Sequence, residues 1–71
     1  MKMRQMIMEA LKAKYFGVMK EAQANIEIYL ESPVGIGEHP DIIAAIDSQL
    51  AILAEAQEKF QVLEEFNHGG Q

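Results

Sequence analysis

Apolar residues recur along the first part of the chain at spacings of three and four. The series consists of Met8, Leu11, Tyr15, Val18, Ala22, Ile26 and Tyr29. Because an α-helix turns once every 3.6 residues, this spacing places the series on one face. No proline interrupts residues 3–31, and Asn25 is the single polar residue within that face. The pattern predicts an amphipathic helix over residues 3–31.

A second series lies about half a turn away on the same helix. It consists of Met6, Ala10, Ala13, Gly17, Ala24 and Ile28, called the small-residue row below. Gly17 costs a helix interior roughly 1 kcal/mol relative to alanine, which a kink or a close approach by another backbone would explain. The plain alternative is a solvated surface that tolerates small residues. We predict that this row is the interaction surface.

A turn is predicted after the first helix. Pro33 disfavours helical geometry in the residue before it, and glycine permits backbone angles that other residues avoid. Pro40 suits the first position of the following helix. The predicted turn includes Pro33, Val34, Gly35, Ile36, Gly37, His39 and Pro40, with Val34 and Ile36 expected to pack under the end of the hairpin.

The second predicted helix spans residues 40–66. Its broad apolar face consists of Ile42, Ile43, Ile46, Leu50, Leu53, Ala56, Phe60 and Leu63, while Ile52 lies at the edge and Val62 and Phe66 lie outside. Asn67 is expected to end the helix, which makes residues 1–66 a single domain and residues 67–71 a flexible tail. The fold class is therefore all-α, an antiparallel two-helix hairpin. Because so short a chain builds only a marginal core, we expect hairpins to assemble into a helical bundle.

Charge is distributed unevenly along the chain. The net charge is −5, but residues 1–20 carry +4 and residues 21–71 carry −9. An antiparallel hairpin brings these charges together, although each exposed pair contributes only about 0–1 kcal/mol. Charge is thus expected to select the orientation. The expected neighbours are Lys2 and Arg4 with Glu64 and Glu65, and Lys12 and Lys14 with Glu55 and Glu58.

Candidate chemistry is sparse. The chain has no cysteine, and its two histidines, His39 and His68, are far apart. Thioethers bind cuprous ions, but Met1, Met3, Met6 and Met8 would point in different directions from a helix. We therefore predict no enzymatic activity, no metal and no cofactor.

Charge and shape disfavour two further partner classes. An acidic second half repels phosphate, so no nucleic-acid partner is predicted. The basic first helix could lie on a membrane surface with its methionines inserted. However, Lys12 and Lys14 project on opposite sides of its apolar face, so no membrane partner is predicted.

His39, Pro40 and Asp41 look like the H-P-D signature of J-domain co-chaperones, which also lies between antiparallel helices. The surrounding residues disagree with that pattern. In J-domains a basic helix runs into the motif, whereas glycine, proline and acidic residues precede it here. A proline that starts a helix is the simpler interpretation. A co-chaperone is kept only as an alternative function.

The string N-I-E-I-Y-L-E-S-P-V-G-I-G-E-H-P-D-I, from Asn25 to Ile42, resembles short helical-hairpin proteins of contractile-tailed phages of marine cyanobacteria. The similarity continues along the acidic helix to about Glu65. Since that group has no assigned activity, the resemblance implies a viral origin and supplies no catalytic residue. It implies an architectural role for the turn, and a location in the cytoplasm of the infected host cell or in the virion.

These observations predict a small structural or interaction protein that self-associates through helical hairpins. A host protein or a virion protein is a possible further partner. The alternative from a different class is a small phage regulator that binds a host protein through its methionine-rich first helix.

Overall fold

Two long helices make up almost all of the described chain. The computed structural model describes residues 2–31 and 41–69. Helix α1 spans Lys2–Glu31 and helix α2 spans Ile42–Gly69. The two pack side by side in an elongated molecule of 53 × 17 × 13 Å. The predicted all-α two-helix hairpin is confirmed.

The observed helix ends differ little from those predicted. In the first turn of α2 the Ala45 amide donates to the Asp41 carbonyl over 2.8 Å. At the other end Asn67 does not stop the helix, which continues to Gly69 instead of ending at Phe66. A glycine is the residue most often found where a helix ends, and Gly69 is the first glycine after the apolar face. The predicted turn, Pro33, Val34, Gly35, Ile36, Gly37, His39 and Pro40, lies outside the described residues.

The interface between α1 and α2, called the seam below, is lined mainly by half-buried side chains. Within residues 2–31 and 41–67 only Ala22 and Ala56 are buried, with 1% and 4% of their surface exposed. The other members of the predicted α1 face are half-buried, from Met8 to Tyr29. Helical periodicity therefore identified the α1 side of the seam correctly, but the seam encloses no large side chain completely in the described residues.

The α2 side of the seam is narrower than the predicted broad face. Ile43 and Leu50, predicted within that face, are 73% and 48% exposed. Ala45 and Gln49 are half-buried in their place. Asn25 Nδ2 donates to Gln49 Oε1 over 3.1 Å across the seam. One side of the broad apolar face of α2 is consequently left uncovered by α1.

Polar contacts establish that the helices are antiparallel. Arg4 Nη2 donates to the Phe66 carbonyl over 3.3 Å, and Lys12 Nζ lies 3.2 Å from Glu64 Oε2. The charge pattern thus gave the correct orientation. Its register was wrong for Lys12, which pairs with Glu64 and not with Glu55 or Glu58, because charge along a helix does not specify where the chain turns.

Candidate interaction surfaces

The small-residue row is exposed along its whole length. Met6 and Ile28 are 65% and 58% exposed. Ala10, Ala13, Gly17 and Ala24 are also exposed. Helix α1 continues through Gly17, and a Cβ placed there would meet no heavy atom within 4 Å beyond its two neighbours and the surrounding backbone of its own helix. Nothing within the hairpin therefore requires a glycine at this position, and the row stays a prediction about contacts with another molecule.

Charged residues interrupt the small-residue row near its middle. Neighbouring members of the row are three or four residues apart, except for Gly17 and Ala24, which are seven apart. A residue at position 20 or 21 would continue the spacing. Those positions hold Lys20 and Glu21, both exposed. The row is accordingly two short apolar segments rather than one continuous stripe.

A second surface follows from the ion pair between Lys12 and Glu64. The pair spans one flank of the hairpin, and residues three, four or seven positions further along share that side of each helix. On α1 these steps lead from Lys12 to Phe16, Met19, Gln23, Ile26 and Leu30. On α2 they lead back from Glu64 to Phe60, Gln57, Leu53, Leu50, Ile46 and Ile43. We call this surface, without the ion pair, the flank face.

The flank face is apolar at its centre, and the charged residues that the same spacing reaches, Lys20, Glu27 and Asp47, are exposed at its edges. Its only polar members are Gln23 and Gln57. Four of its large apolar side chains have about half or more of their surface exposed: Phe16 (53%), Leu30 (59%), Ile43 (73%) and Leu50 (48%). Met19, Ile26, Ile46, Leu53 and Phe60 are half-buried. Lys20 lies at the edge, with Nζ 5.5 Å from the centroid of the Phe16 ring.

Residues of the flank face occur in levels along the hairpin. Since the helices are antiparallel, equal steps inward from Lys12 and Glu64 reach the same level. Four residues inward lie Phe16 and Phe60, and seven residues inward lie Met19 and Gln57. Fourteen residues inward lie Ile26 and Leu50. Periodicity alone groups the apolar α2 members into a single broad face, and their spacing of three and four shows a second stripe only once the position of the seam is known.

A third surface lies near the chain ends, on the other flank. Tyr15, Val62, Leu63 and Phe66 line an open groove of about 470 Å³. Glu55, Glu58 and Lys59 also line it. Val62 and Phe66 are 43% and 52% exposed, in agreement with their predicted place outside the main apolar face. Lys59 Nζ is 5.8 Å from the Tyr15 ring centroid and 3.3 Å from Glu55 Oε2, so charged groups partly cover the groove.

No group of three or more histidine, cysteine, aspartate or glutamate side chains in residues 2–31 and 41–67 is placed to hold a metal ion. Over the same part of the chain, every buried side-chain nitrogen or oxygen has a hydrogen-bond partner. His39 and the His68 side chain lie outside what is described.

Neither described helix combines the length and apolar character needed to cross a lipid bilayer.

No protein-family model, no curated protein and no solved structure matches this chain.

Proposed function

We propose that this chain is a non-enzymatic structural or interaction protein that acts by self-association of its helical hairpin. The observation that carries the proposal is the contrast between the seam and the surface. The described seam buries only Ala22 and Ala56 below a tenth of their surface, whereas large apolar side chains such as Phe16, Leu30 and Ile43 are more than half exposed. Exposed apolar surface of this kind is typical of sites that contact another molecule.

The total accessible area supports the same proposal. The hairpin exposes 5485 Å², whereas a globular monomer of 8.0 kDa exposes about 4,500 Å². Its radius of gyration is 16.0 Å, against about 11 Å for a compact chain of this length. Each copy therefore has roughly 1,000 Å² of surface that a compact fold would bury. Packing against further copies would cover it without any change in the hairpin.

A phage origin is part of the proposal. It is supported by the resemblance of Asn25 to Ile42 to short proteins of contractile-tailed cyanobacterial phages. In that setting the chain would be an architectural component, either in the cytoplasm of the infected cell or in the virion, with a host or virion protein as a further partner.

Mass in solution tests the proposed self-association. Sedimentation equilibrium across a roughly 100-fold range of concentration should give a mass that is a multiple of 8.0 kDa and falls on dilution. A species of 8.0 kDa at every concentration would contradict it.

A second candidate is a regulator that binds a host protein through the first turns of α1. Met3 and Met6 are 70% and 65% exposed, and methionine adapts to irregular partner surfaces. Arg4 contacts the Phe66 carbonyl, so these turns lie at the same end of the hairpin as the apolar groove. If this candidate is correct, the chain is a monomer at every concentration. It binds a host protein, and the Met3→Ser/Met6→Ser variant loses that binding.

A further inference from the structure

We infer that a second copy of this chain docks on the flank face, with the turn ends of both hairpins at the same end of the assembly. In this arrangement α1 of each copy packs against α2 of the other, and four antiparallel helices form one bundle. The inference rests on the proposed self-association and deepens it, because it names the face and the orientation.

The excess area that each hairpin exposes fits a stable interface. A specific interface removes about 800 Å² from each partner, which is most of the surplus of roughly 1,000 Å² that each hairpin exposes. The flank face extends along both helices from the level of Phe16 and Phe60 to Ile43 near the turn end, and its central positions carry no charge. Unpaired buried charge is costly, so the uncharged centre of the face is the part that a second copy can cover.

The small-residue row is the weaker candidate for the same role. It lies on α1 alone, and Lys20 and Glu21 interrupt it. A second copy packed there would leave the exposed apolar side chains of α2, including Leu50 and Ile43, in water. The flank face, in contrast to the small-residue row, includes exposed large apolar side chains of both helices.

Charge selects the orientation of the second copy. Helix α1 carries five basic and four acidic residues, a net charge of +1, whereas α2 carries one basic and five acidic residues, a net charge of −4. With the turn ends together, each α1 faces the α2 of the other copy. With the turn ends at opposite ends, the two α2 helices face each other, and −4 meets −4. Like charges across an interface are unfavourable, so the first orientation is preferred.

The ion pair at the margin of the flank face supports this orientation. Lys12 and Glu64 lie at one level, with side chains 35% and 31% exposed. When the turn ends are together, the two copies meet at the same level, and each α1 lies opposite the α2 of the other copy. Lys12 then lies near the second copy's Glu64, and the four charges alternate in sign around the bundle. In the other orientation, Lys12 and Glu64 of the first copy lie opposite the turn end of the second copy, far from the second copy's Lys12 and Glu64.

An aspartate scan tests the face. Leu50→Asp places a charge in the middle of the flank face and should raise the dissociation constant of the dimer at least about 100-fold. The matched control is Ile52→Asp, which places the same charge on the same helix but away from the flank face, at a position of similar exposure, 42% against 48%. Its dissociation constant should stay within about threefold of the wild-type value. Sedimentation equilibrium measures the dissociation constants of the wild type and of both variants.

A second variant guards against loss of folding. Ile43→Asp introduces the charge at the first turn of α2, where an acidic residue is favourable to the helix, and Ile43 is 73% exposed. It should dissociate the dimer and keep the helical circular dichroism signal. If the wild type is a dimer and both flank variants remain dimers, the inference is overturned while self-association stands. A monomeric wild type would overturn both.

Disulfide trapping tests the orientation. The chain has no cysteine, so Met19→Cys and Gln57→Cys can be made separately and mixed under mild oxidation. The two residues lie at one level, and a disulfide needs Cα atoms about 4.4–6.8 Å apart. With the turn ends together, the cross-linked product is the mixed dimer of the two variants. Products containing two identical variants would indicate the opposite orientation and overturn this part of the inference.

Discussion

At the scale of single residues, the polar pair of Asn25 and Gln49 is the most specific contact across the seam. The Asn25 amide donates to Gln49 Oε1 over 3.1 Å, and the pair is partly buried. Apolar side chains can slide past one another with little loss, whereas a hydrogen bond between two amides is made at one register only. The pair therefore specifies how the two helices align.

Replacement of one member of this pair should cost more than replacement of both. Asn25→Leu leaves the Gln49 amide partly buried without its partner, so the free energy of unfolding should fall by about 1 kcal/mol. Asn25→Leu/Gln49→Leu should recover most of that loss, since two apolar groups replace the pair. Urea denaturation at a fixed protein concentration measures the difference. Additive losses would show that the amides do not depend on each other.

The buried alanines should not tolerate larger side chains. Ala56 is 4% exposed in the seam, and Ala56→Leu should lower the free energy of unfolding by about 1–3 kcal/mol because the helices must separate. Ala54 is exposed on the same helix. Ala54→Leu should change stability by no more than about 0.5 kcal/mol. Equal effects at the two positions would mean that the helices do not approach closely at Ala56. Thermal denaturation distinguishes these outcomes.

At the scale of the helices, α1 carries its charges against its own dipole. Lys2 and Arg4 lie at its positive end, and Glu27 and Glu31 lie at its negative end. This arrangement weakens an isolated helix by a few tenths of a kcal/mol for each charge. Contact with the acidic α2 offsets that cost, since Arg4 and Lys12 both reach α2. Helix α1 is thus better suited to a neighbour than to isolation.

A charge reversal tests the contribution of that neighbour. Lys12→Glu replaces the contact with Glu64 by a repulsion and should lower the free energy of unfolding by roughly 0.5–1 kcal/mol, a range that allows for the partial exposure of both side chains. The reciprocal double variant Lys12→Glu/Glu64→Lys should restore most of the loss. The effect should shrink at high salt, where exposed charges are screened. Chemical denaturation at low and high salt is the measurement.

At the scale of the whole molecule, the hairpin is a thin rod. Its dimensions of 53 × 17 × 13 Å leave most large side chains close to the surface, and none in the described residues is fully enclosed. A chain of this shape has too little interior to account for stability comparable to that of a globular domain. Assembly of copies is the proposed source of the remainder.

The melting temperature should therefore depend on protein concentration. Because association stabilises the folded hairpin, a tenfold increase in concentration should raise the melting temperature by roughly 3–5 °C, by mass action on a chain of this length. The dissociating variant Ile43→Asp should show a smaller dependence. Circular dichroism melts at several concentrations provide the test. A melting temperature independent of concentration would place all the stability within one hairpin.

The apolar face of α1 could be predicted from sequence because helical periodicity is a local property. Every residue from Met8 to Tyr29 in that series lies at the seam, since a period of 3.6 aligns these positions wherever the helix packs. The opposite signs of the two halves of the chain likewise predicted the antiparallel orientation. The small-residue row stays a prediction, since it concerns another molecule.

The division of the α2 surface was decided by the tertiary structure. One broad apolar face is visible in the sequence, but only the packing of α1 determines that Gln49 enters the seam and that Leu50 and Ile43 stay exposed. The register between Lys12 and Glu64 was decided in the same way. Periodicity states which residues share a side of one helix. It cannot state how far a second helix is shifted or rotated against it, and that relative placement creates the flank face.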